Sequence, residues 1–463
     1  VIPAAECTPV ALALSPVDAV RAWPADVPLA AMVSGADGRA SRAAGERGRW
    51  SILAVPKDWA AVDPRGGLAP AAVGDGSSLS THLPFVGGWV GMLTYELGAH
   101  LEPSVPARRD AAWPLGAWAR CDSALVHDAA SGRWWAVGDA DELPSIARLR
   151  AGASGAAEPP AFVEPLRSET GREAFERAVA RAVEYIRAGD VFQVNLSHAL
   201  AGTMRGTPRG LFASLLRTAA PWYGALLELP DDLGGGAAVS ASPELFLEFD
   251  AGTRRVVTRP MKGTRAGEQT AADLLASEKD AAELNMIVDL MRNDLGRVCE
   301  YGSVRVENAR EIETHGGGGV LQGVATVAGT LRQGLGLSDL LRAAFPPGSI
   351  TGAPKVRAMQ IIDELEARPR GPYCGCIGFV SDCGRAQLNV AIRTAAMTPA
   401  GLGAGPRRAR SGHGATEEWS VRYGVGAGIV ADSDPASEWR ETLLKARVWR
   451  GVAVVSDKER VRR

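Results

Sequence analysis

Residues 172–186 carry Phe175, Val179, Ala182, Val183 and Ile186 at intervals of three and four, the period of a helix with one apolar face. Gly189-Asp190 ends that helix. The period then changes to two: across 191–197, Phe192, Val194 and Leu196 fall on one side, and Gln193, Asn195 and Ser197 on the other. The spacing predicts a strand with a polar face. Further strands are predicted at 50–55, 134–137, 245–249, 255–258, 376–381 and 387–394. Helices are predicted over 271–295 and after Pro354, with a last strand and helix in 423–448. Strands and helices mix without a regular strand–helix–strand rhythm. The expected class is α+β, with large, mainly antiparallel sheets flanked by helices.

A polar linker at 152–160 divides the chain into an N-terminal region, 1–160, and a better-patterned part, 166–455, expected to be the catalytic domain. The stretch 399–418 reads as a flexible surface loop, and Gly316 to Gly319 as a turn. No internal repeat is evident.

The chain has 463 residues, 46% of them hydrophobic, enough for a large core. A net charge of −2 provides no field to gather nucleic acid or an anionic membrane, so neither is an expected partner. The apolar runs fall short of the ~18 residues that cross a bilayer, and Glu6 precedes any basic residue, unlike a secretory leader. A soluble, cytoplasmic protein is expected. Six scattered cysteines argue against a disulfide scaffold, and Cys374 and Cys376 lack the partners of a zinc site, reading instead as small packed residues.

Lysine is scarce: 6 of the 51 basic residues. One, Lys262, lies in Thr-Arg-Pro-Met-Lys-Gly-Thr, and a primary amine can lose its proton and attack carbon where guanidinium cannot. A solvated loop lysine is the plain alternative. Asp280 with Glu283, and Glu438 with Glu441, are acid pairs three apart, which on a helix project from one face. They are either solvated faces or, if the helices meet, oxygen ligands for a hard divalent cation such as Mg2+. Asp289, Arg292, Asn293 and Asp294 continue the first helix as an internally paired cluster or as part of a site. The glycines of 424–430 lack dinucleotide spacing but allow backbone N–H groups close to a carboxylate. Arg393, among apolar neighbours, calls for an anion, an internal carboxylate or a bound acid; Lys445 can pair with Glu441 or with substrate.

Together these segments resemble the chorismate-utilising enzyme family, most closely component I of aminodeoxychorismate synthases. The likeness rests on Asp190-Val-Phe-Gln-Val-Asn-Leu-Ser197, Ser242-Pro-Glu244, Arg259-Pro-Met-Lys-Gly-Thr-Arg265, the acids from Glu283 to Asp294, Phe345-Pro-Pro-Gly-Ser-Ile-Thr-Gly-Ala-Pro-Lys355, 371–379, Ala391-Ile-Arg-Thr394 and 426–445. A looser match is Gly48-Arg-Trp-Ser-Ile-Leu53. The resemblance implies that Asp280, Glu283, Glu438 and Glu441 hold magnesium against the ring carboxylate of chorismate. It implies that Tyr373 and Arg393 bind the enolpyruvyl carboxylate, that Gly426, Ala427, Gly428 and Lys445 cradle the ring carboxylate, and that Thr351 lies in the pocket.

Two positions distinguish members. Isochorismate- and salicylate-forming relatives have a water-activating lysine at the place of Gln193, and glutamine has no such basicity. Anthranilate synthases have a small residue at the place of Lys262, where aminodeoxychorismate synthases have lysine. The resemblance therefore implies that Lys262 attacks chorismate while Glu244 serves as general acid, and that ammonia gives 4-amino-4-deoxychorismate. A glutamine amidotransferase subunit, component II, would supply the ammonia, since no glutaminase motif is present. Anthranilate synthase component I and a non-catalytic chorismate-binding homologue are the alternatives, the latter because Gln322 replaces a family histidine, with His315 nearby.

Overall fold

The computed structural model describes residues 7–35, 45–70, 82–154, 161–162, 165–265, 270–315, 320–400 and 418–450. Two large sheets dominate, one of 13 strands and one of 10, and every strand pairing is antiparallel. Helices cover their outer faces, so the α+β expectation holds.

The larger sheet is organised by one long pairing. Gln193–Arg205 runs against Glu418–Ile429 from Val194↔Ile429 to Arg205↔Glu418. The helix Arg172–Arg187 packs beside it, burying Phe175, Val179, Ala182 and Val183, the residues its period predicted. Burial of Phe175, Val179 and Val183 contributes roughly 1.5–3 kcal/mol each relative to exposure, and the methyl of Ala182 less. The smaller sheet contains Met261–Arg265, Val320–Thr330, Arg255–Arg259, Leu245–Asp250, Arg385–Val390 and Cys376–Ser381. Strands from the first 160 residues extend both sheets: Ala30–Val33 pairs with Tyr223–Glu228, and Gly88–Leu93 with Cys376–Ser381. Ile52 and Leu227 of the larger sheet join Val90 and Ile377 of the smaller in one apolar cluster, which locks the sheets together.

Several boundaries differ from the sequence expectation. The predicted helix over 271–295 is two helices, Ala271–Ala276 and Glu278–Gly296. Ser277 adopts an extended conformation between them and caps the second by accepting from Asp280 N, a role serine fills better than a helix interior. The predicted strand over 387–394 is also divided. Its chain leaves the smaller sheet after Val390 and enters the larger at Thr394, with Arg393 at φ +51° in the crossover. Phe192 is 72% exposed and precedes its strand instead of joining its apolar face. The helix Ile146–Ser154 occupies the start of the expected linker. Residues 316–319 and 401–417, read as turn and loop, lie outside the described residues. Among the described residues no helix is long and apolar enough to cross a membrane.

Candidate active site

The site is built on one face of the long strand pair. Directly paired residues in an antiparallel ladder point to the same side, so Asn195 with Gly428, and Ser197 with Gly426, share a face with Gln193. Glycine leaves that face hollow, and other side chains enter. A Cβ on Gly424 would lie 2.1 Å from the Tyr373 ring, and one on Gly426 would lie 3.0 Å from the Tyr373 hydroxyl. At Gly428 it would meet Lys262 Nζ at 3.0 Å and Gln193 Nε2 at 3.1 Å. The missing side chains thus admit Tyr373 over Gly424 and Gly426, and Lys262 with Gln193 over Gly428. Pairing with the neighbouring strand Thr394–Pro399 ends at Tyr423, leaving 424–429 with one edge free of a strand partner. Lys445 Nζ donates to the Gly426 carbonyl at 2.8 Å, and Ala427 between the glycines is fully buried.

Lys262 opens the short strand Met261–Arg265, whose register shifts after it and whose Gly263 has φ +76°. Burial, joined by the Lys445 charge, pushes the Lys262 amine below the ordinary lysine range, against the opposing pull of Glu283, Glu244 and Glu441. Those charges come from three separate segments. The loop reading of Lys262 is therefore replaced by an amine held amid the candidate acids.

Glu244 is 3% exposed, and burial raises its carboxyl to about 7 despite hydrogen bonds from the Ser349 side chain and the Met261 backbone and the nearby Lys262 charge. A carboxyl poised there can give up a proton near neutrality. Ser349 was not singled out from sequence, although it lies in the quoted Pro-Pro-Gly-Ser-Ile-Thr segment.

Asp280 and Glu283 lie on the helix Glu278–Gly296, and Glu438 and Glu441 on Pro435–Lys445. A Cβ on Gly263, next to Lys262, would lie 3.0 Å from the Asp280 carboxyl carbon. Glu438 is buried and accepts from Ser433 Oγ at 2.7 Å, while Glu441 pairs with Lys445 at 2.8 Å. Among the described residues no three Asp, Glu, His or Cys side chains converge closely enough to hold a metal ion. The set is nonetheless all carboxylate, the donor chemistry of a hard cation, and the Asp280 and Glu283 helix meets the Glu441 charge at Lys262. The residue types fit magnesium.

Gln193 is fully buried and, among the described residues, neither amide atom has a partner, an unusual state for an interior polar group. Arg393 is partly buried, its charge is disfavoured mainly by burial, and among the described residues Tyr423, not a carboxylate, is the neighbour that favours that charge. The internal-carboxylate alternative for Arg393 is thus not found among the described residues. Thr351 turns its hydroxyl to the Pro347 and Gly348 carbonyls at 3.1 and 3.2 Å, closing its own turn. Its carbonyl accepts from Asn195 N, so it braces the site strand.

The remaining acidic cluster divides. Asp294 is buried against Lys355 at 2.5 Å, a structural pair, and Asp289 pairs with Arg292 on an exposed face. Gln322 is buried, opposite Thr264 on one side and Glu313 on the other. The side chain of His315 lies outside the described residues.

Residues 32–450 match the family described as chorismate binding enzyme. Anthranilate synthase component 1 1 of Haloarcula marismortui is 38% identical, covering 87% of this chain and 84% of that protein. Aminodeoxychorismate synthase component 1 of Klebsiella aerogenes is 39% identical, covering 79% of this chain and 76% of its own length. The crystal structure of anthranilate synthase component I from Streptococcus pneumoniae TIGR4 superposes with a TM-score of 0.68 at 29% identity, covering 86% of this chain and 91% of that one. On this evidence of sequence and fold, the chain belongs to the chorismate binding enzyme family, as a protein of the component I type found in anthranilate and aminodeoxychorismate synthases.

Proposed function

We propose that this chain is an aminodeoxychorismate synthase component I, converting chorismate and ammonia to 4-amino-4-deoxychorismate in the cytoplasm, with ammonia from a glutamine amidotransferase component II. One observation carries the choice over anthranilate synthesis: the Lys262 amine, lowered in pKa mainly by burial, beside Gln193 at Gly428 and under the charges of Glu244, Glu283 and Glu441. A neutral amine in that position is a nucleophile.

In the proposed reaction the Lys262 nitrogen adds at C2 of the ring, both ring double bonds shift by one position, and the 4-hydroxyl departs as water with the proton of Glu244; the ammonium formed at C2 then returns a proton to the Glu244 carboxylate. Ammonia adds at C4, both double bonds return, and the lysine leaves C2 as a neutral amine with the proton of Glu244, which is regenerated by the proton shed from the new C4 ammonium. Two displacements through the allylic system place nitrogen on the carbon that lost oxygen. Arg393 and Tyr373 hold the enolpyruvyl carboxylate, an anion that the guanidinium does not find among the described residues. The strand edge at 426–428 and Lys445 receive the ring carboxylate, with Gln193 and Thr351 in the pocket wall. Asp280, Glu283, Glu438 and Glu441 would hold magnesium, which supplies positive charge to bind the ring acid.

Chromatography of products from chorismate and an ammonium salt, with and without a 4-amino-4-deoxychorismate lyase, tests the assignment. Appearance of 4-aminobenzoate only with the lyase is the expected result; fluorescent anthranilate without it would overturn the choice.

A further inference from the structure

The polar face of the site strand contains a second amide with no assigned task. Asn195 is 7% exposed and its Nδ2 has no hydrogen-bond partner among the described residues. A buried donor left unmet costs about 1–3 kcal/mol, so its retention in a core position calls for a compensating role. Its backbone gives no reason for the choice of side chain: Asn195 N donates to Thr351 O at 2.8 Å, and Asn195 O accepts from Arg370 at 2.7 Å. Those bonds are available to any residue.

Position supplies the reason. Asn195 lies opposite Gly428, where Lys262 and Gln193 converge, and one step along the same face stand Ser197 and Gly426, where the Tyr373 hydroxyl lies. The amide is therefore between the amine that meets the ring and the hydroxyl that meets the enolpyruvyl carboxylate. In chorismate the group joining those two ends is the enolpyruvyl ether arm, whose oxygens accept hydrogen bonds and cannot donate them. We infer that Asn195 contacts the substrate directly, donating through Nδ2 to an oxygen of the enolpyruvyl arm, and that it helps select ligands carrying that arm.

This rests on the chorismate reading above, and the test separates the two. Chorismate binding to the full chain is measured by titration calorimetry, with the melting temperature of the ligand-free protein, for the wild type, Asn195→Leu and Asn195→Asp. Absence of binding to the wild type would sink the chorismate reading itself. With wild-type binding present, Asn195→Leu, which keeps the branched outline without a hydrogen-bonding group, is expected to weaken chorismate roughly 10- to 100-fold while the ligand-free melting temperature stays level or rises, because an unmet donor is removed. A purely structural amide predicts a lowered melting temperature instead. In an Asn195→Leu variant that folds, unchanged affinity or a lowered melting temperature overturns the inference. Should the leucine variant fail to fold, Asn195→Asp decides: it offers an acceptor and a negative charge to an anionic ligand, and affinity equal to wild type would overturn the proposal.

Discussion

Lys445 Nζ donates to the carbonyl oxygen of Gly426 at 2.8 Å, so the last turn of the helix Pro435–Lys445 is tied to the free edge of the site strand. The same ammonium pairs with Glu441 one turn back, and Glu438 lies a further turn towards the N-terminus, buried beside Ser433. Helix, strand edge and carboxylates are thereby a single unit. The unit also contributes two of the charges that act on Lys262.

Glu438→Gln keeps the shape of this buried side chain and its ability to accept from Ser433 Oγ, but removes its charge. The proposed magnesium role predicts loss of magnesium-stimulated turnover by at least about 100-fold, with little change in melting temperature. Titration of the variant with Mn2+ followed by electron paramagnetic resonance should show weakened ion binding. Wild-type metal dependence at a normal rate would remove Glu438 from the ligand set.

Two glycine substitutions on the same face should behave differently. In Gly424→Ala the new methyl would meet the Tyr373 ring at 2.1 Å, a rigid neighbour packed in the core, and a loss of roughly 1–3 kcal/mol is expected in denaturant unfolding. In Gly428→Ala it would meet the ends of Lys262 and Gln193, at 3.0 and 3.1 Å, which are flexible and can yield. That variant should fold near normally and lose turnover, because the amine is displaced.

Lys355 and Asp294 form a buried ion pair whose amine also donates to the Ala344 carbonyl. Without the lysine, Asp294 keeps Arg297 at 2.9 Å as an ion partner but loses its buried one. Lys355→Met is predicted to destabilise the protein by about 1–3 kcal/mol. The double variant Lys355→Met/Asp294→Leu should recover a large part of that loss, as read from unfolding midpoints.

The raised Glu244 carboxyl links stability to pH. The folded chain keeps this proton up to about 7, while the unfolded chain releases it nearer the ordinary carboxyl value of 4.5. Stability should therefore fall as pH rises between those values, by at most about 3 kcal/mol from this group. Glu244→Gln should flatten that part of the profile, and comparison of melting temperatures across the range checks it. The variant should also lose turnover by roughly 100- to 10,000-fold, as expected when a general acid is removed.

Much of the architecture was legible in the residue pattern, because a period of 3.6 or 2 reports directly on which face is buried. The helix Arg172–Arg187 and the strand beginning at Gln193 follow from it. The break at Ser277 was not visible, since apolar spacing continues across it and one capping serine decides it. The crossover at Arg393 was hidden for a similar reason: Ala391 and Thr394 suit a strand on either sheet, and the turn between them is fixed by tertiary pairing. Within the site, Lys262, Lys445 and the paired acids stood out by residue type. Asn195 did not, because alternating polar residues in a strand ordinarily face solvent, and here that face is buried. The glycines were read as room for a ligand carboxylate, whereas in the fold they first make room for Tyr373, Lys262 and Gln193.

Product analysis of Lys262→Ala with chorismate and an ammonium salt, by chromatography with mass detection, bears most directly on the assigned chemistry. The account predicts that formation of 4-amino-4-deoxychorismate falls sharply and that the residual product shifts towards anthranilate. An alanine variant that makes 4-amino-4-deoxychorismate at the wild-type rate would contradict it.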